Sequence, residues 1–257
     1  MSRALVTGAS AGIGCAFATA LAARGDDLVL VARDAVRLAD LAGALERAHG
    51  VTAETLAADL LTDDGIAATT TRLGDVARPV DLLVNNAGMG TYGEFADAEI
   101  TREVDEIQLN VLAVVRLTHA ALGAMQPRRR GTIVNVSSLA AYQPSPNSAT
   151  YSATKAFINS FTQAVREEAK QHGVQVMVLC PGYTHTEFHE RAGLKPSTLP
   201  EFAWQHVDQV VTAALRDLDR NRAVCIPGAL NQVAAALSSV TPAGITRRLA
   251  GAVVKRT

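Results

Sequence analysis

Aromatic residues are scarce in this 257-residue chain, which has one Trp, four Tyr and six Phe. Lysine is scarcer still, supplying four of the 24 basic residues against 20 arginines. With 25 acidic side chains the formal net charge is −1, so the basic excess that a general nucleic-acid binder needs is missing. The three cysteines, Cys15, Cys180 and Cys225, are odd in number and widely spaced. They fit neither a disulfide framework nor a metal cluster and imply a reducing, cytoplasmic setting. Long apolar runs are also lacking. The longest uncharged stretch, 223–246, is broken by Pro227, Asn231, Gln232, Ser238, Ser239 and Pro242, which makes it a poor bilayer span. Met1-Ser2-Arg3 runs straight into Ala4-Leu5-Val6-Thr7, so no signal peptide is expected. What the chain has in plenty is small aliphatic side chains: 46 alanines within a 48% hydrophobic composition, enough for the core of one domain.

Short apolar runs alternate with longer segments of helical periodicity, the pattern of a parallel sheet covered by helices on both faces. Leu5-Val6, Leu28–Val31, Thr55–Ala58, Leu82–Val84, Ile133–Val136, Val174–Leu179 and Val224–Ile226 read as seven strands. Segments near 13–25, 35–49, 63–76, 97–125, 150–172 and 203–219 read as helices. Asp34 is placed to cap the second helix, and Gly25, Gly50 and Gly173 stand where helix C-caps are expected. No linker or repeat interrupts the pattern, so residues 1–257 are read as a single α/β, doubly wound domain.

The first strand ends in Thr7-Gly8-Ala9-Ser10-Ala11-Gly12-Ile13-Gly14, where a helical pattern begins. Such a turn brings backbone amides and a helix N-terminus close to an anion, as a dinucleotide pyrophosphate requires; an ordinary strand-to-helix turn is the alternative. Further elements follow in order: Asn85-Asn86-Ala87-Gly88, Asn110, Ser138, Tyr151-x-x-x-Lys155 and Pro181-Gly182-Tyr183-Thr184-His185-Thr186. With its Gly-x-x-x-Gly-x-Gly spacing, the chain resembles the classical short-chain dehydrogenase/reductase family over about residues 1–190. The resemblance implies a Rossmann-like, seven-stranded parallel sheet; 228–257, the part least like the family, reads as a C-terminal helical extension.

Tyr151 and Lys155 lie one helical turn apart on one face. A fixed ammonium, together with an oxidised nicotinamide ring, lowers a phenol from its usual value of about 10 toward working pH. Such a phenol can protonate a carbonyl oxygen as hydride reaches carbon, or deprotonate an alcohol in reverse. A serine beyond the fifth strand would steady the same oxygen; Ser137 and Ser138 both qualify, and the family spacing of thirteen residues before the tyrosine selects Ser138. Asn110 reads either as a buried amide satisfying a carbonyl or, by resemblance, as the holder of a relay water behind Lys155.

By the same resemblance, Gly8, Ser10, Gly12, Ile13 and Gly14 cradle the pyrophosphate side of the cofactor, and Asn86, Ala87 and Gly88 meet its adenosine ribose. Asp59, beside Leu60, binds adenine or, alternatively, caps the next helix. Tyr151, Lys155, Pro181, Gly182, Tyr183, Thr184 and Thr186 meet the nicotinamide end. The second strand ends in Ala32-Arg33, not in an acidic residue, which favours NADP over NAD because arginine pairs with a 2′-phosphate. Ser10 and Arg37 are secondary contacts. Asp34 keeps an NAD reading open, although capping explains it.

His185, Glu187 and His189 do not have zinc-protease spacing and lack a third ligand, so no metal is expected. Residues 183–206 are read as a lid over the substrate. Pro227-Gly228 and the tail resemble a ketosteroid and acyl-chain reductase subgroup. The basic amphipathic stretch 242–257 reads as a helix packed on the domain, with a peripheral membrane or subunit contact as the alternative. The expected function is NADP-dependent hydride transfer between nicotinamide and a lipophilic small-molecule carbonyl or alcohol, in a homodimer or homotetramer. The rival reading is a non-catalytic, nucleotide-dependent binding module. Tyr92, Phe95, Tyr142, Tyr151, Tyr183, Phe188, Phe202 and Trp204 are expected around the substrate, with Phe17, Phe157 and Phe161 elsewhere.

Overall fold

Every strand must serve two helical layers, and its apolar residues alternate between them. A computed structural model describes residues 2–188, 192 and 201–241. Strands β1 (Arg3–Thr7), β2 (Asp27–Ala32), β3 (Ala53–Ala57), β4 (Leu82–Asn85), β5 (Gly131–Val136), β6 (Val174–Leu179) and β7 (Val224–Cys225) form one parallel sheet in the order β3-β2-β1-β4-β5-β6-β7. The helices are α1 (Gly12–Ala23), α2 (Ala35–His49), α3 (Asp63–Leu73), α4 (Ile100–Ile107), α5 (Val114–Met125), α6 (Ala149–Lys170), α7 (Val207–Asp219) and α8 (Ala229–Val240). In β1, Ala4 and Val6 pack with Phe17 and Leu21 of α1, Leu38 of α2 and Leu215 of α7. Leu5 faces the other way, into a layer with Ile66 of α3, Leu117 and Met125 of α5 and Val165 of α6. The doubly wound, Rossmann-like sheet read from the sequence is the one observed.

The sequence boundaries shift where tertiary pairing overrides local pattern. Pairing of Ala53 with Leu28 draws β3 two residues earlier than its apolar run, and β7 has only two paired residues, opposite Val178 and Leu179. The segment read as one helix over 97–125 is composite: a 3-10 turn at Phe95–Asp97, then α4, then a π-helical turn at Gln108–Ala113, then α5. The stretch read as helix from 203 begins at Val207, behind a capping box between His206 and Gln209. Asp34 caps α2 by accepting from the Arg37 amide at 3.0 Å, and Gly50 ends that helix in the left-handed region at φ +68°.

The continuous helix Ile100–Met125 is long and apolar enough, by length and composition, to cross a bilayer. Its Ala113, Leu117, Ala121 and Met125 are buried in the layer against the sheet, which makes it a covering helix of this domain. Of the C-terminal extension, α8 is observed, and the stretch 242–257 lies outside the described residues.

The sheet winds outward in both directions from β1 and β4, so the crevice beyond their C-terminal ends is the place where such a fold binds ligands. Beneath it runs a buried polar chain that the apolar pattern did not announce. The Asn85 amide donates to Asn135 Oδ1 at 2.9 Å and to Thr118 Oγ1 at 3.2 Å, and the Asn135 amide donates to Thr162 Oγ1 at 3.1 Å. These bonds tie β4 and β5 to α5 and α6 in one register, and the buried Asn85 Oδ1 has no hydrogen-bond partner among the described residues.

Candidate active site

The strand-to-helix turn is too tight for side chains. Gly8 has φ +65°, and a β-carbon there would come within 2.8 Å of Asn86 Nδ2 and 3.0 Å of Ala87 Cα. One at Gly14 would collide with the Gly8 carbonyl oxygen. Thr7 Oγ1 accepts from the Asn86 and Ala87 amides at 2.9 and 3.0 Å, which fastens the Asn86–Gly88 segment beside the turn. Whereas Asp34 and Thr62 cap α2 and α3, α1 has no side-chain cap and no acid in its first turn. Its first amides are therefore open to an anion, and the cradle fits a dinucleotide pyrophosphate.

Toward the adenosine side, β2 ends at buried Ala32 and exposed Arg33 follows. Arg37 is engaged with Glu187 at 3.4 Å and Asp34 at 3.6 Å, whereas Arg33 forms no ion pair among the described residues. Asp59 accepts from the Leu61 amide at 3.0 Å, and Leu60 is buried. The reading of Asp59 as the next helix cap is corrected: Thr62 caps α3, accepting from Gly65 at 3.1 Å, because the chain takes four residues, 58–61, to turn from β3 to the cap.

The neighbouring serines have separate partners. Buried Ser137 donates to the Lys155 backbone carbonyl at 2.7 Å. Ser138 accepts from the Ala140 amide at 3.1 Å and shares a hydrogen bond with the Tyr151 phenol. Lys155 is buried; its ammonium donates to the Val136 carbonyl at 3.0 Å and lies 5.7 Å from the Tyr151 ring centroid. An ammonium has two further donors, and the Val136 carbonyl is its one acceptor among the described residues, which fits a polyhydroxyl group such as a ribose. Burial lowers Lys155 to about 8, opposed by the charge of Glu106.

The sequence reading counts an oxidised nicotinamide ring among the groups that lower the phenol; the chain's own groups together act in the opposite direction. Burial pushes Tyr151 up to about 12, the Ser138 hydrogen bond works against this, and the charge of Glu106 adds to the rise. Desolvation exceeds what Ser138 returns, so the chain's own groups keep the phenol protonated.

Asn110 sits in the π-turn, where the bulge rotates its amide inward. Its Nδ2 donates to the Met89 carbonyl at 2.8 Å and to Thr154 Oγ1 at 3.2 Å, and its Oδ1 accepts from the Met89 amide at 3.0 Å. A β-carbon on Gly88 would lie 3.0 Å from Asn110 Oδ1 and 3.6 Å from Lys155 Nζ, so glycine keeps the space between them open. Sequence reasoning missed Glu106, fully buried one turn before Asn110. Its Oε2 accepts from Thr91 Oγ1 at 2.7 Å.

Over this group, Phe188 packs on Tyr151 with ring centroids 5.6 Å apart. A β-carbon at Gly90 would lie 3.0 Å from Phe188 and 3.3 Å from Tyr151, so both rings pack closely on Gly90. Pro181 accepts from the Leu139 amide at 2.8 Å, Thr184 is buried, and the Thr186 methyl would sit 3.1 Å from a β-carbon at Gly12. Tyr183 packs on Trp204 at 5.5 Å, and His185 stacks on the same indole at 4.9 Å while meeting Glu201 at 3.1 Å. His189 lies outside the described residues. The aromatic inventory is narrower than expected: Phe95 and Phe202 are 60% and 76% exposed and face outward. Asn231 of α8, also unanticipated, donates to Gln205 at 3.0 Å and to the Pro227 carbonyl at 2.8 Å, and a β-carbon at Gly182 would meet it at 2.5 Å.

Comparison with known proteins agrees with this geometry. The family model described as short chain dehydrogenase matches residues 2–196. A very-long-chain 3-oxoacyl-CoA reductase of Laccaria bicolor is 40% identical over 179 residues, which is 67% of this chain; the match spans about half, 52%, of that relative. Among solved structures, a short-chain dehydrogenase from Sphingobium yanoikuyae in complex with NADPH superposes with TM-score 0.85 at 38% identity, covering 94% of this chain and 97% of the other. The bulky-bulky ketone specific alcohol dehydrogenase from Comamonas testosteroni gives TM-score 0.80 at 34% identity, covering 94% and 95%.

Proposed function

The chain belongs to the short-chain dehydrogenase family, and on that premise we propose that it is an NADP-dependent oxidoreductase acting on a bulky, lipophilic ketone or the corresponding alcohol. The observation that carries the reading is the convergence of the Ser138 hydroxyl and the buried Lys155 ammonium on Tyr151. When bound, the nicotinamide cofactor supplies or receives the hydride. Ser138 holds the substrate oxygen, Tyr151 gives that oxygen a proton in reduction and takes one in oxidation, and Lys155 fixes the cofactor ribose and favours the phenolate once the proton has left. Asn110 supports this group from the π-turn.

Gly8, Ser10, Gly12, Ile13 and Gly14 hold the pyrophosphate side; Arg33 holds the 2′-phosphate; Asp59, Leu60, Asn86, Ala87 and Gly88 hold the adenosine. Pro181, Gly182, Tyr183, Thr184 and Thr186 hold the nicotinamide end. The NADPH-bound neighbour and the exposed, uncommitted Arg33 support the phosphate assignment. The apolar packing of Phe188 beside Tyr151 and Gly90 supports a lipophilic substrate, as do the relatives named for long-chain and bulky carbonyl compounds. Residues 1–257 act as one domain in the cytoplasm; of the lid expected over 183–206, residues 189–191 and 193–200 lie outside the described residues. The exposed Ile100, Val104, Ile107, Leu112 and Phe157 support assembly as a homodimer or homotetramer.

The test is to follow NADPH and NADH oxidation across steroid, acyl-thioester, quinone and small-aldehyde panels. The reading expects preferential turnover of bulky ketones with NADPH; cofactor binding with no turnover on any panel would replace it with the binding-module alternative.

A further inference from the structure

Glu103, Glu106 and Asn110 recur at helical spacing along α4 and the π-turn, and all three are buried. Two acids on the inner face of a helix are costly, since a carboxylate taken from water needs a partner. Glu106 has partners of a particular kind. Thr91 donates to one oxygen at 2.7 Å, and the Asn110 amide lies 3.5 Å from the other. That amide is already committed to Met89 and Thr154, so Glu106 receives its weakest contact.

We propose that Glu106 is a positioning residue that sets the pH range of carbonyl reduction: its carboxylate helps keep Lys155 an ammonium and Tyr151 protonated. The inference rests on reading Tyr151 and Lys155 as the proton-exchanging pair.

The charges facing Glu106 define the effect. Glu103 on the same helix disfavours its ionisation, Lys155 from α6 favours it, and burial outweighs both, pushing the carboxyl up to about 7. Asn110, which touches Glu106 at 3.5 Å, and the Lys155 ammonium border the same space at Gly88, 3.0 and 3.6 Å from a β-carbon there. The carboxylate thus stands one side chain away from the pair and raises both Lys155 and Tyr151 of α6. Reduction needs a protonated phenol and benefits from an ammonium beside it. Once Glu106 ionises, both are held to higher pH, and the alkaline limit of reduction moves upward.

Glu106→Gln keeps the shape and an acceptor for Thr91 but removes the charge. The alkaline limb of the reduction profile is expected to move down by about one pH unit, and Glu106→Asp is expected to restore it in part. A profile that superimposes on the wild type would overturn the proposal. Infrared spectroscopy gives a readout independent of turnover: a protonated carboxyl band should titrate near neutral pH in the wild type and vanish in Glu106→Gln. If the wild type reduces no carbonyl, the proposed reaction fails, while the band still decides whether Glu106 is coupled to the pair. Should Glu106→Gln not fold, Lys155→Met is read instead. Loss of the cation must raise the midpoint of the band, and an unmoved midpoint would overturn the proposal.

Discussion

Ser137 and Lys155 are joined by a 2.7 Å hydrogen bond from the serine hydroxyl to the lysine backbone carbonyl, deep in the buried floor of the site. That bond leaves the adjacent Ser138 as the serine that meets the Tyr151 phenol. The two serines should therefore fail differently. Ser138→Ala should lower kcat by about a hundredfold with little change in thermal stability. Ser137→Ala, which removes a second donor from a buried carbonyl of α6, should cost about 0.5–1.5 kcal/mol of stability. Steady-state kinetics and thermal melts of the two variants check the split; equal kinetic losses with equal stability would contradict it.

Arg33 should discriminate the cofactors. Asp34 is spent on the α2 cap and Arg37 on Glu187, so Arg33→Ala removes the one uncommitted cation at the tip of β2. A charge-assisted contact to phosphate is worth about 1.5–3 kcal/mol, roughly ten- to hundredfold in Kd. NADPH binding should weaken by that factor and NADH binding hardly at all. Fluorescence titration with both cofactors measures this, and equal losses would remove Arg33 from the phosphate site.

How far the sequence anticipated the structure can be judged at particular residues. β1, β2 and β4–β6 are buried on both faces, so their apolar runs needed no context, and Asp34 and Gly50 carry local capping chemistry that survives folding unchanged. The glycine spacing was legible because close backbone approach excludes every other side chain at Gly8 and Gly14. Glu106 was not legible. A glutamate in Glu103-Val104-Asp105-Glu106 reads as part of a solvated face, and only the packing of α4 against α6 turns it inward. The π-turn at Gln108–Ala113 likewise has no local signature, since one inserted residue leaves the apolar pattern nearly intact. The desolvation of Tyr151 was not legible either, because spacing reveals the nearby lysine but not the depth of burial.

Gly90 should set substrate size. Phe188 and Tyr151 pack closely on it, so the side chain of Gly90→Val must push the Phe188 ring toward the substrate and should cut kcat/KM for bulky ketones by about tenfold while sparing small aldehydes. Kinetics on a graded ketone series decide it; a uniform loss across the series would place the substrate elsewhere.

Glu106 should also leave a mark on stability. Its folded pKa, about 7, lies above its ordinary carboxyl value of 4.5, so the protonated form is the one folding favours. That contribution is full below about pH 4.5 and is lost as pH rises through about 7. Glu106→Gln, permanently neutral, should therefore match the wild type near pH 4.5 and exceed it at pH 8 by about 1–3 kcal/mol, less whatever Lys155 loses with its counter-charge. Chemical denaturation at the two pH values checks the sign, and a variant less stable than wild type at pH 8 alone would contradict it.

The central claim is that Tyr151 exchanges the proton that accompanies hydride transfer. Its most direct test is single-turnover oxidation of bound NADPH by a bulky ketone, in the wild type and in Tyr151→Phe, with NADPH affinity measured alongside. The account predicts retained NADPH binding and a transfer rate lowered by about 10²–10⁴-fold in the phenylalanine variant. A transfer rate equal to that of the wild type would contradict it.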